Sequence, residues 1–437
     1  MNVPFTDMWR MPPYFDKFFS GSLTVADLWA LHSGEHRPLL PRVFLLAMGK
    51  IASFDMLTIM YATQLCLLVI FGGIFLAYRD TVGSDTKLLF LAIPISLLVF
   101  TLSQYWNMLN AWSIHVVVVN SFVVLSFLLL SRLGVGSSIR EKSPLFLAAI
   151  LGGSAATLSA GHGLMIWPVG FIQLLLEPIS SRSKKYLLGV WGFIGALHWI
   201  FYFRNFENPN FNNPSARIES TYFFDSPMLG ADFFLGLIGF SFFSNPRLAI
   251  IVGTLILIPL FIVVFRIVRN REQAKYTFWI SLSVFSLLVL AATTVGRAGK
   301  GLEGTVQSKY VTFSVLLALG VYVMVLKLAL DTPSFSLYTV LAGACVVLIA
   351  VSTPLSYYSS VLEAREIRVE REEKVCVLYN YESLSDETLQ KTFKPLRNRP
   401  EIGKEIRVNA TILDDLDYTV FSLTASEIKS KFGCVQP

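Results

Sequence analysis

Nine stretches of this sequence approach the roughly 17 to 25 apolar residues that a helix needs to cross a bilayer, and they limit what the chain can fold into. They are 56–78, 88–104, 111–131, 143–160, 186–203, 247–267, 276–295, 309–329 and 336–355. A tenth, 163–177, is shorter, contains Pro168 and follows the break SAGHG. With 54% hydrophobic and 15% charged residues over 437 positions, most of the surface must face lipid. The expectation is an all-α polytopic membrane protein with about ten transmembrane helices, each closing its backbone hydrogen bonds internally. ADFFLGLIGFSFF at 231–243 is separated from the next span by Asn245 and Pro246 and reads as an interfacial segment.

Charge in the gaps sets orientation. Net charge is +6, but the cations cluster between spans, which is a topology signal and gives no reason to expect a nucleic-acid partner. Arg79 and Lys87, then Arg132, Arg140 and Lys142, then Arg182, Lys184 and Lys185, then Arg266, Arg269, Arg271 and Lys275 form the basic set, read as cytoplasmic. The alternate gaps, 104–110, 161–163, 204–246 and 296–308, face outward. Residues 1–355 then form a membrane domain with an outer segment at 1–50, and 356–437 form a small extracytoplasmic domain, expected to be α/β. No apolar segment precedes the outer segment to carry it across, so either the amino end translocates unaided or a first helix is missing; the second is the favoured expectation. Cys376 and Cys434 would pair in an oxidising compartment, while Cys66 and Cys345 fall in apolar runs. Asn409-Ala410-Thr411 is a glycosylation sequon.

The polar residues collect on the outer side. MWRMPPYFDKFFSG and HSGEHRPLLPR lie in the first outer segment, SQYWNMLNAW at 103–112, SAGHGLMIWP at 159–168 and GRAGKGLEGTVQSKY at 296–310. This asymmetry suggests a site assembled from several outer loops. Each piece also has a plain reading. Trp106 and Trp112 suit an interfacial belt, Gln104, Asn107 and Asn110 suit helix caps or a hydroxyl-rich ligand, and His162 suits a tight turn. Arg297, Lys300, Lys309 and Tyr310 fit an anion site or a flexible turn with snorkelling cations.

The cluster at 32–42 admits two sharp readings. His32, Glu35 and His36 match H-x-x-E-H, which on a helix places two histidines as zinc ligands beside a basic glutamate. Gly34 and Pro38 weaken that helix. Alternatively, Arg37 and Arg42 hold a phosphate at the membrane surface while His32, Glu35 and His36 shape the site.

VPFTDMW at 3–9, DLWALHSGEHRPLLPR at 27–42, SQYWNMLNAW, GHGLMIWP and GRAGKGLEGTVQSKYVTFS at 296–314 resemble a family of bacterial multipass membrane proteins. In that family the loop commonly reads H-N-E-H-R and the late motif G-R-x-G-F-G followed by S-R-Y. This chain departs at Ser33-Gly34, at Lys300 and at Lys309, where lysine keeps the charge but loses a two-pronged phosphate contact. The architecture also resembles the GT-C class of integral membrane glycosyltransferases. That resemblance implies Asp7 as the acidic residue of the first outer loop, acting as base or helping to hold a divalent ion such as magnesium or manganese. It further implies a polyprenyl-phosphate-linked sugar donor, an acceptor of unspecified identity, and a bacterial inner-membrane location among lipids. In such a site Arg37, Arg42 and Arg297 would neutralise the departing phosphate, and Trp9, Tyr105 and Trp106 would stack on sugar faces. The alternatives are a transporter or flippase for a lipid-linked saccharide, which needs polar residues in mid-span where this chain has few, Gln64, His115, Asn120 and His198 being the clearest, and a zinc peptidase.

Overall fold

The computed structural model describes residues 2–32, 36–134, 139–206, 223–305, 308–332, 334–393 and 402–434. Among these, eight helices are long and apolar enough to cross a membrane: Met56–Val82, Leu88–Leu109, Ala111–Gly134, Ser181–Phe203, Pro246–Arg269, Thr277–Lys300, Ser308–Asp331 and Leu337–Tyr379. The protein is an integral membrane protein built from helices. The expected ten spans become eight for two reasons. Gly161–Leu176 is an apolar helix too short to qualify. Ile139–Ser159 has the length, but it opens on Arg140-Glu141-Lys142 and passes through Gly152-Gly153-Ser154, which dilutes its hydropathy.

Local sequence explains where the spans begin. Ser53 and Phe54 take left-handed backbone angles, with φ of 47° and 52°, and turn the chain after helix Leu39–Ala52. The Asp55 side chain then accepts from the Thr58 amide and starts Met56–Val82. Asn245 caps Pro246–Arg269 in the same way, with proline at the first helical position. Ser336 and Thr339 form a capping box for the last span. Ser308–Asp331 is the central helix, with 83% of its apolar window enclosed by protein, against 22% for the peripheral Ser181–Phe203. The segment read as interfacial forms helix Pro227–Gly239, which packs against Pro246–Arg269 with Phe233, Gly236 and Leu237 buried.

The C-terminal region departs from the α/β expectation. It is all-α: Asp386–Thr392, Ile402–Asp415 and Ala425–Phe432 are helices, and no strand occurs among the described residues. The last span does not end near 355 either. Leu337–Tyr379 continues unbroken for 43 residues, because EAREIRVEREEK changes polarity while keeping strong helix formers. Beyond the bilayer, the N-terminal and C-terminal segments share a second hydrophobic core. Met8, Trp9, Met11 and Phe15 are buried together with Leu378, Leu389, Ile406, Leu413 and Val420. We call this joint unit the cap. Cys376 and Cys434 are disulfide-bonded within it and tie its final helix to the long one.

Candidate functional site

Hydrogen bonds between remote segments bring three of the outer motifs together. Asn107 Nδ2 donates to the Lys309 carbonyl at 3.1 Å and to Thr312 Oγ1 at 3.0 Å. Ser308 Oγ donates to the Ser103 carbonyl at 2.6 Å and accepts from the Trp106 amide at 3.0 Å. Gln104 Oε1 accepts from Thr312 Oγ1 at 2.9 Å, and Gln104 Nε2 donates to the Val99 carbonyl at 2.6 Å. Asn110 Nδ2 donates to Thr6 Oγ1 at 3.3 Å and so draws the Asp7 segment over this seam. Gln104 and Asn107 are buried and joined to protein partners, so they frame the site rather than lining it.

Four of the five histidines meet here. His32 and His36 form a mutual backbone bridge: the His32 amide donates to the His36 carbonyl at 2.6 Å and the His36 amide to the His32 carbonyl at 3.3 Å. This reciprocal pairing is an isolated antiparallel bridge between the two residues. It is not the single helix that H-x-x-E-H requires, so the zinc-peptidase arrangement is not formed; Glu35 lies outside the described residues. The His32 ring stacks on Trp112, with centroids 4.2 Å apart. His36 lies 5.5 Å from His162 and 6.4 Å from His115, and His162 packs 5.2 Å from Phe313. The glycines flanking His162 permit this approach. A Cβ on Gly163 would meet the Ala156 carbonyl at 2.1 Å, and one on Gly161 the Tyr202 hydroxyl at 2.8 Å. Burial, reinforced by His162, His115, His32 and Arg297, holds His36 well below the ordinary imidazole range. Burial also lowers His32, against the opposing pull of Asp7. Both imidazoles are therefore neutral at pH 7.

Asp7 stands at the mouth of this nest, on the single turn Thr6–Arg10, with 42% of its side chain exposed. Its Oδ1 lies 3.5 Å from His32 Nε2 and 3.5 Å from Arg10 Nε. Burial pushes the carboxyl up, but hydrogen bonding with His32 and the positive charge of Arg10 outweigh it and the net shift is downward. Asp7 is thus an ionised acceptor open to water. Among the described residues no group of three or more His, Cys, Asp or Glu is arranged to hold a metal, and the cation beside Asp7 is Arg10.

The anion contacts expected of Arg37 and Arg42 are corrected by their surroundings. Arg37 is buried and donates from Nε to the Tyr202 carbonyl, from one terminal nitrogen to Trp29, and from the other to Arg204 and Asn205. Of these carbonyls, Tyr202 lies in the last turn of helix Ser181–Phe203 and Arg204 and Asn205 follow it directly, at the helix end where a cation is favoured. Arg42 is 1% exposed, donates to the Leu28 and Ala30 carbonyls and lies 5.0 Å above the Tyr14 ring. Both arginines clamp backbone. Trp9 is also corrected: it is buried edge-on against Phe393 in the cap core, where no sugar can reach its face.

The remaining motif residues stay near the nest or at its margin. Arg297 and Lys309 are electrostatic neighbours of His162, and Lys309 Nζ lies 5.0 Å over the Tyr310 ring. Lys300 is exposed on the turn Ala298–Lys300. Trp106 is half-buried beside Phe5, centroids 5.5 Å apart, and Tyr105 is half-buried within electrostatic range of Glu363 and Glu366.

Sequence reasoning missed the joining of His115 and Trp112 to His32 and His36. Their spacing carries no sign of it, because the contacts join residues 80 and 79 positions apart. It also missed Arg10, three positions from Asp7. No family model matches this chain, and searches of curated proteins and of solved structures return no match.

Proposed function

We propose that this protein is a GT-C-like glycosyltransferase that moves a sugar from a polyprenyl-phosphate donor to an acceptor hydroxyl at the extracytoplasmic face of a bacterial inner membrane. The observation that carries the reading is Asp7: a partly exposed, ionised carboxylate beside a buried imidazole nest. In the reaction the acceptor oxygen bonds to the anomeric carbon, and the bond from that carbon to the phosphate oxygen breaks. Its electron pair leaves as polyprenyl phosphate, and the acceptor proton passes to Asp7. A carboxylate of low basicity suffices, because the hydroxyl proton becomes acidic only as the new bond forms. Arg297, Lys300 and Lys309 supply positive charge for the leaving phosphate, while Arg37 and Arg42 hold the loop in shape. The Cys376–Cys434 bond supports an oxidising compartment for the cap.

The transporter or flippase reading has less support. The polar residues within spans that would line its path are bonded to nearby backbone. Gln64 donates to the Met108 carbonyl and Asn120 to Val116, while a ring nitrogen of His115 contacts the Trp112 carbonyl and one of His198 the Ile194 carbonyl.

The test is transfer from radiolabelled polyprenyl-phosphate sugars by the purified protein. Wild type should label an acceptor, and Asp7→Asn should fold, insert and transfer nothing. Full activity in Asp7→Asn would remove Asp7 as the base.

A further inference from the structure

A second buried polar cluster lies at the other end of the bundle. His162 lies in the first turn of helix Gly161–Leu176 and Glu177 follows its end, so 15 positions, or about 22 Å of helix, separate this residue from the histidine nest. Glu177 is 1% exposed, and its Oε1 has no hydrogen-bond partner among the described residues. One turn earlier, Gln173 is fully buried and donates through Nε2 to the Phe127 carbonyl at 2.8 Å, which leaves its own Oε1 unpartnered as well. Spacing of four residues puts these two side chains on one helix face. Thr277 and Gln173 lie within hydrogen-bonding range of the carboxyl, yet Glu177 Oε1 and Gln173 Oε1 both remain buried acceptors without a donor, which is costly, and one proton on the carboxyl satisfies both.

Lys142 and Lys184 are the cations in range, and each amine donates to a backbone carbonyl, of Leu133 and Leu175 respectively. Arg132 is turned to Asp80 at 2.9 Å, and the Thr277 hydroxyl is the remaining neighbour. Glu177 forms no ion pair among the described residues. The carboxyl is also tightly enclosed: a Cβ on Gly134 would lie 2.7 Å from Oε2.

We propose that Glu177 is a proton-binding site, held in the folded protein as the neutral acid and donating to Gln173 Oε1, so that protonation seals the end of the bundle opposite Asp7. Burial agrees with this, raising the carboxyl from 4.5 to about 7 against the hydrogen bonds of Thr277 and Gln173 and the charges of Lys184 and Lys142. The folded value exceeds the unfolded one. The stabilisation is therefore complete below the unfolded value and is lost as pH rises through the folded value.

The experiment is thermal unfolding of the detergent-solubilised full chain between about pH 5.5 and about pH 8.5, comparing wild type with Glu177→Gln. The amide mimics the neutral acid. Wild type should melt progressively lower as pH rises, whereas Glu177→Gln should match it at the acid end, lose that slope, and melt above it at the alkaline end. An unchanged slope in Glu177→Gln overturns the proposal. So does a Glu177→Gln protein that fails to fold or melts well below wild type at the acid end, because the site would then need an ionised carboxylate. Neither result depends on what Asp7 does.

Discussion

The side-chain amide of Asn409 donates to the backbone oxygen of Trp9 at 2.8 Å, across 400 positions of sequence. Asn409 is 3% exposed, so the acceptor nitrogen of the Asn409-Ala410-Thr411 sequon is enclosed in the cap. Expressed in a glycosylating host, the folded protein should carry no glycan at Asn409, as read by intact mass before and after endoglycosidase. Asn409→Ala leaves the Trp9 carbonyl without its donor and should cost about 1 to 3 kcal/mol, visible as earlier unfolding of the cap.

Arg37 gives a different kind of prediction, because it holds three carbonyls at the end of helix Ser181–Phe203. Arg37→Ala should lower stability by about 3 kcal/mol, and Arg37→Lys should recover little, since an ammonium lacks the planar fork that reaches several carbonyls. A melting curve in detergent measures this. If Arg37 bound the donor phosphate instead, Arg37→Ala would weaken donor binding and leave the melting temperature unchanged.

The pairing of Asp7 with His32 makes a pH prediction. The folded carboxyl lies below its ordinary 3.8, so the ionised form and the stability it contributes are present above that value and are lost as pH falls through the folded one. His32→Phe keeps an aromatic ring on Trp112 but removes the nitrogen facing Asp7. Burial then dominates, and Asp7 should titrate at higher pH than in wild type. Carbodiimide labelling of the Asp7 peptide, followed by mass spectrometry across pH, reads this without a substrate. An unshifted profile would show that His32 does not govern the carboxylate.

The Cys376–Cys434 bond encloses a separation of 58 residues, and a loop of that length predicts about 4 kcal/mol of stabilisation by chain entropy. Reductant should therefore lower the unfolding temperature of the cap while leaving the spans helical. Cap-specific protease sensitivity and circular dichroism together separate the two effects.

Hydropathy carried most of the membrane domain, because a span must satisfy its backbone internally and its apolar length is written in consecutive residues. It failed where that rule does not apply. Ile402–Asp415 buries Ile406, Ala410 and Leu413 on one face, a helical periodicity hidden by the charged residues around it. The cap core joins residues from the two chain ends, and nothing local announces that pairing. The arginines show a related limit: composition gave the charge of Arg37 and Arg42, but only the fold revealed that their partners are carbonyl oxygens. Asp7 was legible as an outer acidic residue, whereas the neutral imidazoles that set its environment come from three distant elements.

Helix Leu337–Tyr379 carries a mechanical consequence. Its 43 residues extend about 64 Å, roughly twice the hydrocarbon thickness of a bilayer. It therefore acts as a lever whose lower half is embedded and whose upper half is bolted to the extramembrane unit by a covalent sulfur bridge. Asp7, on the segment whose Met8 and Trp9 lie in the cap core, is carried by the unit fastened to this shaft. Pro354 falls near the middle of this shaft, where a missing backbone bond concentrates any bending.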